Sequence, residues 1–375
     1  MSSVDLIRPA SEPSKIPPSR ATQHEEFLQR IDFRGAEDQD AALASGAAGV
    51  DRDGFPLLPS HHRLSKYHTI RARLREPMAE FFGTMALMVC GDGCVAQTVL
   101  SSGTEGNFLS INMSFGVGLM LGYLIAVAGG AAGHLNPAIT LANCLFRRFP
   151  WRKFPEYLIA QMLGSGFAAA IVFATYRNSI TAYDGGHRQV VGDYKTAGIF
   201  ATYPTAAMDL PGRAMQEFTC TAFLTFFVNA IACQTSALPH TQAPLPVEWN
   251  LIRAGSLGIM LTTIGNSLGW QTGYAMNAAR DFAPRLVSYM CGYGPKVFTT
   301  SDYYFWIPIF MPCFGAIVGQ AMFDFFIYQG VSDNFITDPT LIADSIRHHR
   351  RHFAKSSNPV VDEEKKISSS SASSS

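Results

Sequence analysis

The sequence has no charge excess to offer a partner. Its 29 Lys and Arg residues balance 29 Asp and Glu residues, and charged residues make up only 15% of the chain. A nucleic-acid surface needs a basic stripe or a recognisable binding module, and neither is present. Catalytic groupings are also missing. No carboxylate dyad, no nucleophile beside a base and no phosphate loop can be read, and His134 alone makes no active site. The seven cysteines fall almost entirely in apolar segments and read as small core residues rather than disulfides. Cys90 and Cys94 share a helical face, but no His or further Cys completes a zinc site, so neither metal nor cofactor is expected. Met1 to Arg75 holds no apolar run of the signal-peptide kind.

What is present is a strong contrast along the chain. The mean hydropathy of +0.10 averages polar ends, residues 1–74 and 329–375, with an apolar middle. Six runs are long enough to cross a bilayer: Met78–Leu100, Phe108–Ala128, Phe154–Tyr176, Ala214–Leu238, Leu251–Leu268 and Phe305–Tyr328. Two more, Leu135–Phe149 and Met276–Cys291, are too short to cross and read as re-entrant helices. The expectation is an all-α membrane protein. Basic clusters at Arg63–Arg75, Arg147–Lys153 and Arg347–Arg351 all share one side if six spans are crossed. Both tails should then be cytoplasmic, with residues 177–213 outside. Residues 1–74 and 331–375 have the Pro, Ser and charge content of disordered tails.

The apolar middle repeats itself. Met78-Ala79-Glu80-Phe81 opens the first span and Met215-Gln216-Glu217-Phe218 the fourth. After the second span comes His134-Leu135-Asn136-Pro137-Ala138. After the fifth comes Ala275-Met276-Asn277-Ala278-Ala279-Arg280. Each half is thus three spans plus one short helix (repeat one about 76–178, repeat two about 212–328, within a domain 75–330), and three spans per half invert the second copy. Inverted repeats with broken helices build a site at the membrane midplane. Irregular backbone at that depth survives only when buried or lining a water-filled cavity. Gly133 and Gly273 permit the irregular approach, Asn is a good N-cap, and Pro137 suits the first helical position. The two helix N-termini meet with their positive ends inward, which opposes a cation, while the Asn amides can donate to a neutral solute. Glu80 and Glu217 are expected to accept hydrogen bonds from the loop backbones, since buried acids need partners.

These motifs carry a resemblance. The stretch from about Glu76 to Tyr328 resembles the major intrinsic protein family, the aquaporins and glycerol facilitators. The His134–Ala138 segment is similar to that family's first signature, and Gly273–Phe282 to the second in its aquaglyceroporin form. The long tails look like those of fungal members. The resemblance implies six spans and two half-helices in inverted repeat and a homotetramer with one pore per subunit; the plasma membrane is the expected location. It also implies a filter near the outer mouth. Arg280 matches its arginine, Tyr274 and Phe115 its aromatics, and Gly265 a position where water-selective members carry His. Asp281 marks the glycerol branch, with Arg285 and Pro308-Ile309 pointing the same way. Ala278 departs from the family, which has proline there.

The implied function is passive conduction of glycerol and small neutral solutes, with some water, while protons and ions are excluded. The Tyr274 hydroxyl and Ala278 keep a second reading open, in which water or hydrogen peroxide is the main cargo. A third, a potassium channel suggested by Gly292-Tyr293-Gly294, lacks the preceding Thr-Val and the two-span plan, so the tripeptide reads as a turn.

Overall fold

The computed structural model describes residues 66–235 and 247–328. The chain divides into two units, Met1–Thr69 and Ile70–Ser375. The first lies almost wholly outside the described residues, as do the C-terminal tail and the Arg347–Arg351 cluster. Every regular element described is helical. Six helices are long: α1 (Lys66–Leu100), α2 (Phe108–Ala128), α4 (Lys153–Asp184), α5 (Leu210–Thr235), α6 (Val247–Leu268) and α9 (Ile307–Phe326). Between them lie the short α3 (Pro137–Phe146), α7 (Ala278–Ser288) and α8 (Lys296–Tyr303).

Five helices among the described residues are long and apolar enough to cross a membrane. The helix that falls short is α6, on composition rather than length. Its 22 residues suffice for a core of about 30 Å, but Glu248, Asn250 and Arg253 crowd its first turns. α2 starts on a reciprocal cap, in which Asn107 Oδ1 accepts from Ser110 N at 3.0 Å and Ser110 Oγ accepts from Asn107 N at 2.8 Å. Its outward face carries Leu109, Met113, Val117, Leu121 and Ile125, all exposed at four-residue spacing.

Several boundaries differ from the sequence reading. α1 begins at Lys66, inside the stretch expected to be tail. Ala72, Leu74 and the arginines around them are good helix formers, so the helix propagates outward past Pro77. α3 and α7 start at Pro137 and Ala278, each two residues later than read. The cause is the backbone just before each Asn: Leu135 and Met276 have φ of +52° and +49°, which no helix accommodates. The Gly292-Tyr293-Gly294 tripeptide ends a π-turn, Tyr289–Tyr293, with φ of +103° at Gly292 and +71° at Gly294.

Lipid tails are as apolar as leucine, so helices associate by close packing rather than by escape from water. Small residues make that possible here. A Cβ on Gly164 would lie 2.3 Å from the Phe81 carbonyl oxygen, joining α4 to α1. In the other half a Cβ on Gly315 would lie 2.3 Å from the Phe218 carbonyl oxygen, joining α9 to α5. Phe81 and Phe218 each follow a repeat glutamate, so the two crossings correspond. α2 and α6 meet across Gly116 and Gly258 in the same manner.

Candidate functional site

The loops before α3 and α7 hold their irregular shape through one glutamate each. Glu80 accepts from the backbone N–H of His134 at 2.8 Å and of Leu135 at 2.9 Å. Glu217 accepts from Ala275 N at 3.1 Å and Met276 N at 2.9 Å. Both carboxylates are fully buried, and further donors surround them: Gln161 at Glu80, and Thr272 and Tyr304 at Glu217. An N–H left without an acceptor here costs about 1–3 kcal/mol. The left-handed conformations of Leu135 and Met276 are sparsely populated by non-glycine residues and persist only when their surroundings over-determine them.

That conformation serves the asparagines. Asn136 Oδ1 caps its own helix by accepting from Ala138 N at 2.9 Å, with Pro137 in the first helical position. Asn277 Oδ1 does so from Ala279 N at 2.9 Å and Arg280 N at 3.3 Å, with Ala278 in the first position. The amides then cross over. Asn136 Nδ2 donates to the Met276 carbonyl and Asn277 Nδ2 to the Leu135 carbonyl, each at 2.8 Å. The two N-termini are therefore stapled together. An amide has two hydrogens, so each Asn keeps one beyond this crossed pair, and both side chains line a common cavity.

Two cavities share part of their lining. The smaller one, about 200 Å³, is lined by Phe115, Tyr274 and Arg280, by both asparagines, and by His134, Asn143 and Arg253. The larger one, about 450 Å³, is bounded by α2, the 190–206 loop and Gly273. Phe115, Tyr274 and Arg280 line both, so they form the wall between them. The Tyr274 ring meets Phe115 edge-on with centroids 6.3 Å apart. The Arg280 guanidinium carbon lies 4.8 Å from the Phe115 centroid, and its Nη1 donates to the Phe200 carbonyl at 3.3 Å. The His134 ring meets Phe149 edge-on and Tyr157 at a tilt.

Gly265 lines neither cavity. A Cβ there would lie 2.7 Å from Asn112 Oδ1 and 2.9 Å from Tyr274 Cζ, so the space its missing side chain frees is already filled. The Tyr274 hydroxyl donates to Asn112 Oδ1, and Asn112 Nδ2 donates to Asn266 Oδ1 at 2.7 Å. The hydroxyl is thereby tied to the α2–α6 seam. The absence of a side chain at Gly265 is what leaves room for the Tyr274 ring.

Asp281 also sits away from the pore. It is fully buried, accepts from Arg285 Nε at 2.9 Å and Nη2 at 2.8 Å, and accepts from Thr202 N and Oγ1 at 2.8 and 2.6 Å. Arg285 in turn donates to the Val297 and Thr202 carbonyls. The pair pins the 190–206 loop to α7, and its four-residue spacing was visible in the sequence. Asn112, Phe200 and Thr202 were not singled out, because their partners lie far along the chain. Gly91 was missed too: a Cβ there would lie 2.1 Å from Phe115 Cε1, so its absence seats the Phe115 ring. The seven cysteines are all free, and Cys233 is exposed rather than in the core, on the outward face of α5.

The family model described as major intrinsic protein matches residues 66–323. A protein named probable aquaglyceroporin-2 of Gibberella zeae is 46% identical over 279 residues, which is 74% of this chain and 80% of the relative. Aquaglyceroporin-2 of Rhizophagus irregularis is 43% identical over 267 residues, 71% of this chain and 81% of the relative. Among solved structures, the aquaglyceroporin from Plasmodium falciparum is similar with a TM-score of 0.59 and 25% identity, covering 68% of this chain and 96% of that one.

Proposed function

From membership of the major intrinsic protein family, to which this chain belongs, we propose that it is a passive membrane channel for glycerol and other small neutral solutes, with water following the same path. One observation carries the reading. Phe115, Tyr274 and Arg280 line both cavities, and the smaller cavity is also lined by the crossed asparagines.

The chemistry of that path fits a polyol. The Phe115 and Tyr274 rings supply an apolar wall for a carbon backbone, and Arg280 supplies a rigid set of donors for hydroxyl oxygens. The Tyr274 hydroxyl is spent on Asn112, so the polar contact that favoured a water or peroxide channel is withdrawn from the filter. At the asparagines a solute accepts hydrogen bonds from amides whose own acceptors are already used as caps. Two half-helix N-termini, each worth about half a positive charge, raise the cost of a cation or an excess proton there. Transport follows the solute gradient in either direction.

The pore is read as working in the plasma membrane, with both tails cytoplasmic and four copies assembling, each with its own conduit. In a glycerol gradient, liposomes carrying the purified chain should re-swell faster than empty ones. Equal rates would refute the proposal.

A further inference from the structure

Asp92 lies within the apolar stretch of α1, directly after the glycine that seats Phe115. It is fully buried, and neither carboxylate oxygen has a hydrogen-bond donor. It lines neither cavity. Its ion-pair partner is Arg280, with Nη1 to Oδ1 at 3.5 Å. An acid at this depth without donors is costly, so it marks a function by default.

The surroundings of Arg280 say what that function is. The guanidinium has three supports: the Phe115 ring at 4.8 Å from α2, the Phe200 carbonyl at 3.3 Å from the 190–206 loop, and Asp92 at 3.5 Å from α1. Both polar supports act on the same nitrogen, Nη1. Two of the three are neutral, and only Asp92 attracts the full charge. A second charge nearby, Asp281, is already neutralised by Arg285.

We propose that Asp92 is the positioning residue of the filter: its carboxylate holds the Arg280 guanidinium against the pore wall, which keeps the aperture wide enough for a polyol. Without Asp92, Arg280 keeps one neutral hydrogen bond and one ring contact. Its charge then draws it toward the water of the pore axis, and the opening narrows. This role rests on the channel reading above.

The test uses the full-length chain in liposomes, with glycerol and water permeability measured side by side for wild type, Asp92→Asn and Asp92→Glu. Asp92→Asn removes the charge at nearly constant volume. Glycerol permeability should fall roughly tenfold, equivalent to about 1.4 kcal/mol of added barrier, while water permeability falls by less than about twofold. Asp92→Glu keeps the charge and should stay nearer the wild-type ratio. A purely structural residue would lower both fluxes together by lowering the amount of folded protein. An Asp92→Asn ratio equal to wild type, in a wild-type channel that conducts glycerol, overturns the role of Asp92 alone. Wild type no faster than empty vesicles overturns the channel reading and this role with it. Should Asp92→Asn not reconstitute, Arg280→Ala is compared with Arg280→Ala plus Asp92→Asn. With the guanidinium gone, the second change should leave the ratio unaltered, and a changed ratio overturns the proposal.

Discussion

Gly265→Ala adds one carbon at a crowded point beside Tyr274. Its Cβ would stand 2.7 Å from Asn112 Oδ1 and 2.9 Å from Tyr274 Cζ, where ordinary contact begins at 3.4 Å. The neighbours must therefore yield by 0.7 and 0.5 Å (3.4 less 2.7 and 2.9). They cannot yield independently, because the Tyr274 hydroxyl is bonded to Asn112 and Asn112 to Asn266. Tyr274 lies between Gly265 and the cavity, so it retreats into the opening. Overpacking of this kind costs about 1–3 kcal/mol. Shrink–swell traces from reconstituted liposomes should show glycerol permeability reduced several-fold and water permeability reduced less. Thermal unfolding in detergent should fall by a few degrees. Gly265→His should act in the same direction and more severely. A Gly265→Ala protein with the wild-type glycerol-to-water ratio and unchanged thermal stability would refute the idea that Tyr274 occupies the space this glycine leaves.

Three further outcomes follow from the same geometry. Glu217→Gln leaves one acceptor oxygen for the donors of Thr272, Ala275, Met276 and Tyr304. It should cost about 1–3 kcal/mol per stranded N–H and abolish water and glycerol flux together, and an unchanged unfolding temperature would count against loop support. Arg285→Met strands the Asp281 carboxylate, at a cost of about 3–5 kcal/mol. Detergent-extracted yield should drop and partly recover when Asp281→Asn is added, and failure to recover would separate the two residues. Ala278 holds the position that Pro137 holds in α3, where an N–H has no intrahelical acceptor. Ala278→Pro should therefore stabilise by about 0.4–1 kcal/mol with little change in selectivity, and a clear loss of stability would show that the second loop needs a freer backbone than the first.

Much of the architecture was legible because a bilayer makes helix formation a local matter. With no water to satisfy them, backbone groups must pair within their own segment. A run of apolar residues such as Phe108–Ala128 then reads directly as a helix, and its bounds agree with α2. The starts of α3 and α7 were less legible. The left-handed Leu135 and Met276 are imposed by Glu80 and Glu217 from distant spans, not by any property of leucine or methionine.

The amino-acid order alone determined the helices, the repeat and the pairing of Asn136 with Asn277, since each rests on local composition and on two similar motifs. It also placed Phe115, Tyr274 and Arg280 as filter residues by resemblance. Only the tertiary structure decided which way each of them faces. It put the Tyr274 hydroxyl on Asn112, filled the space beside Gly265, moved Asp281 behind the pore and set Asp92 beside Arg280. The physical reason is range. A helix closes its hydrogen bonds four residues away, but the width and charge of a pore depend on side chains that converge from different spans, and no local pattern encodes where they meet.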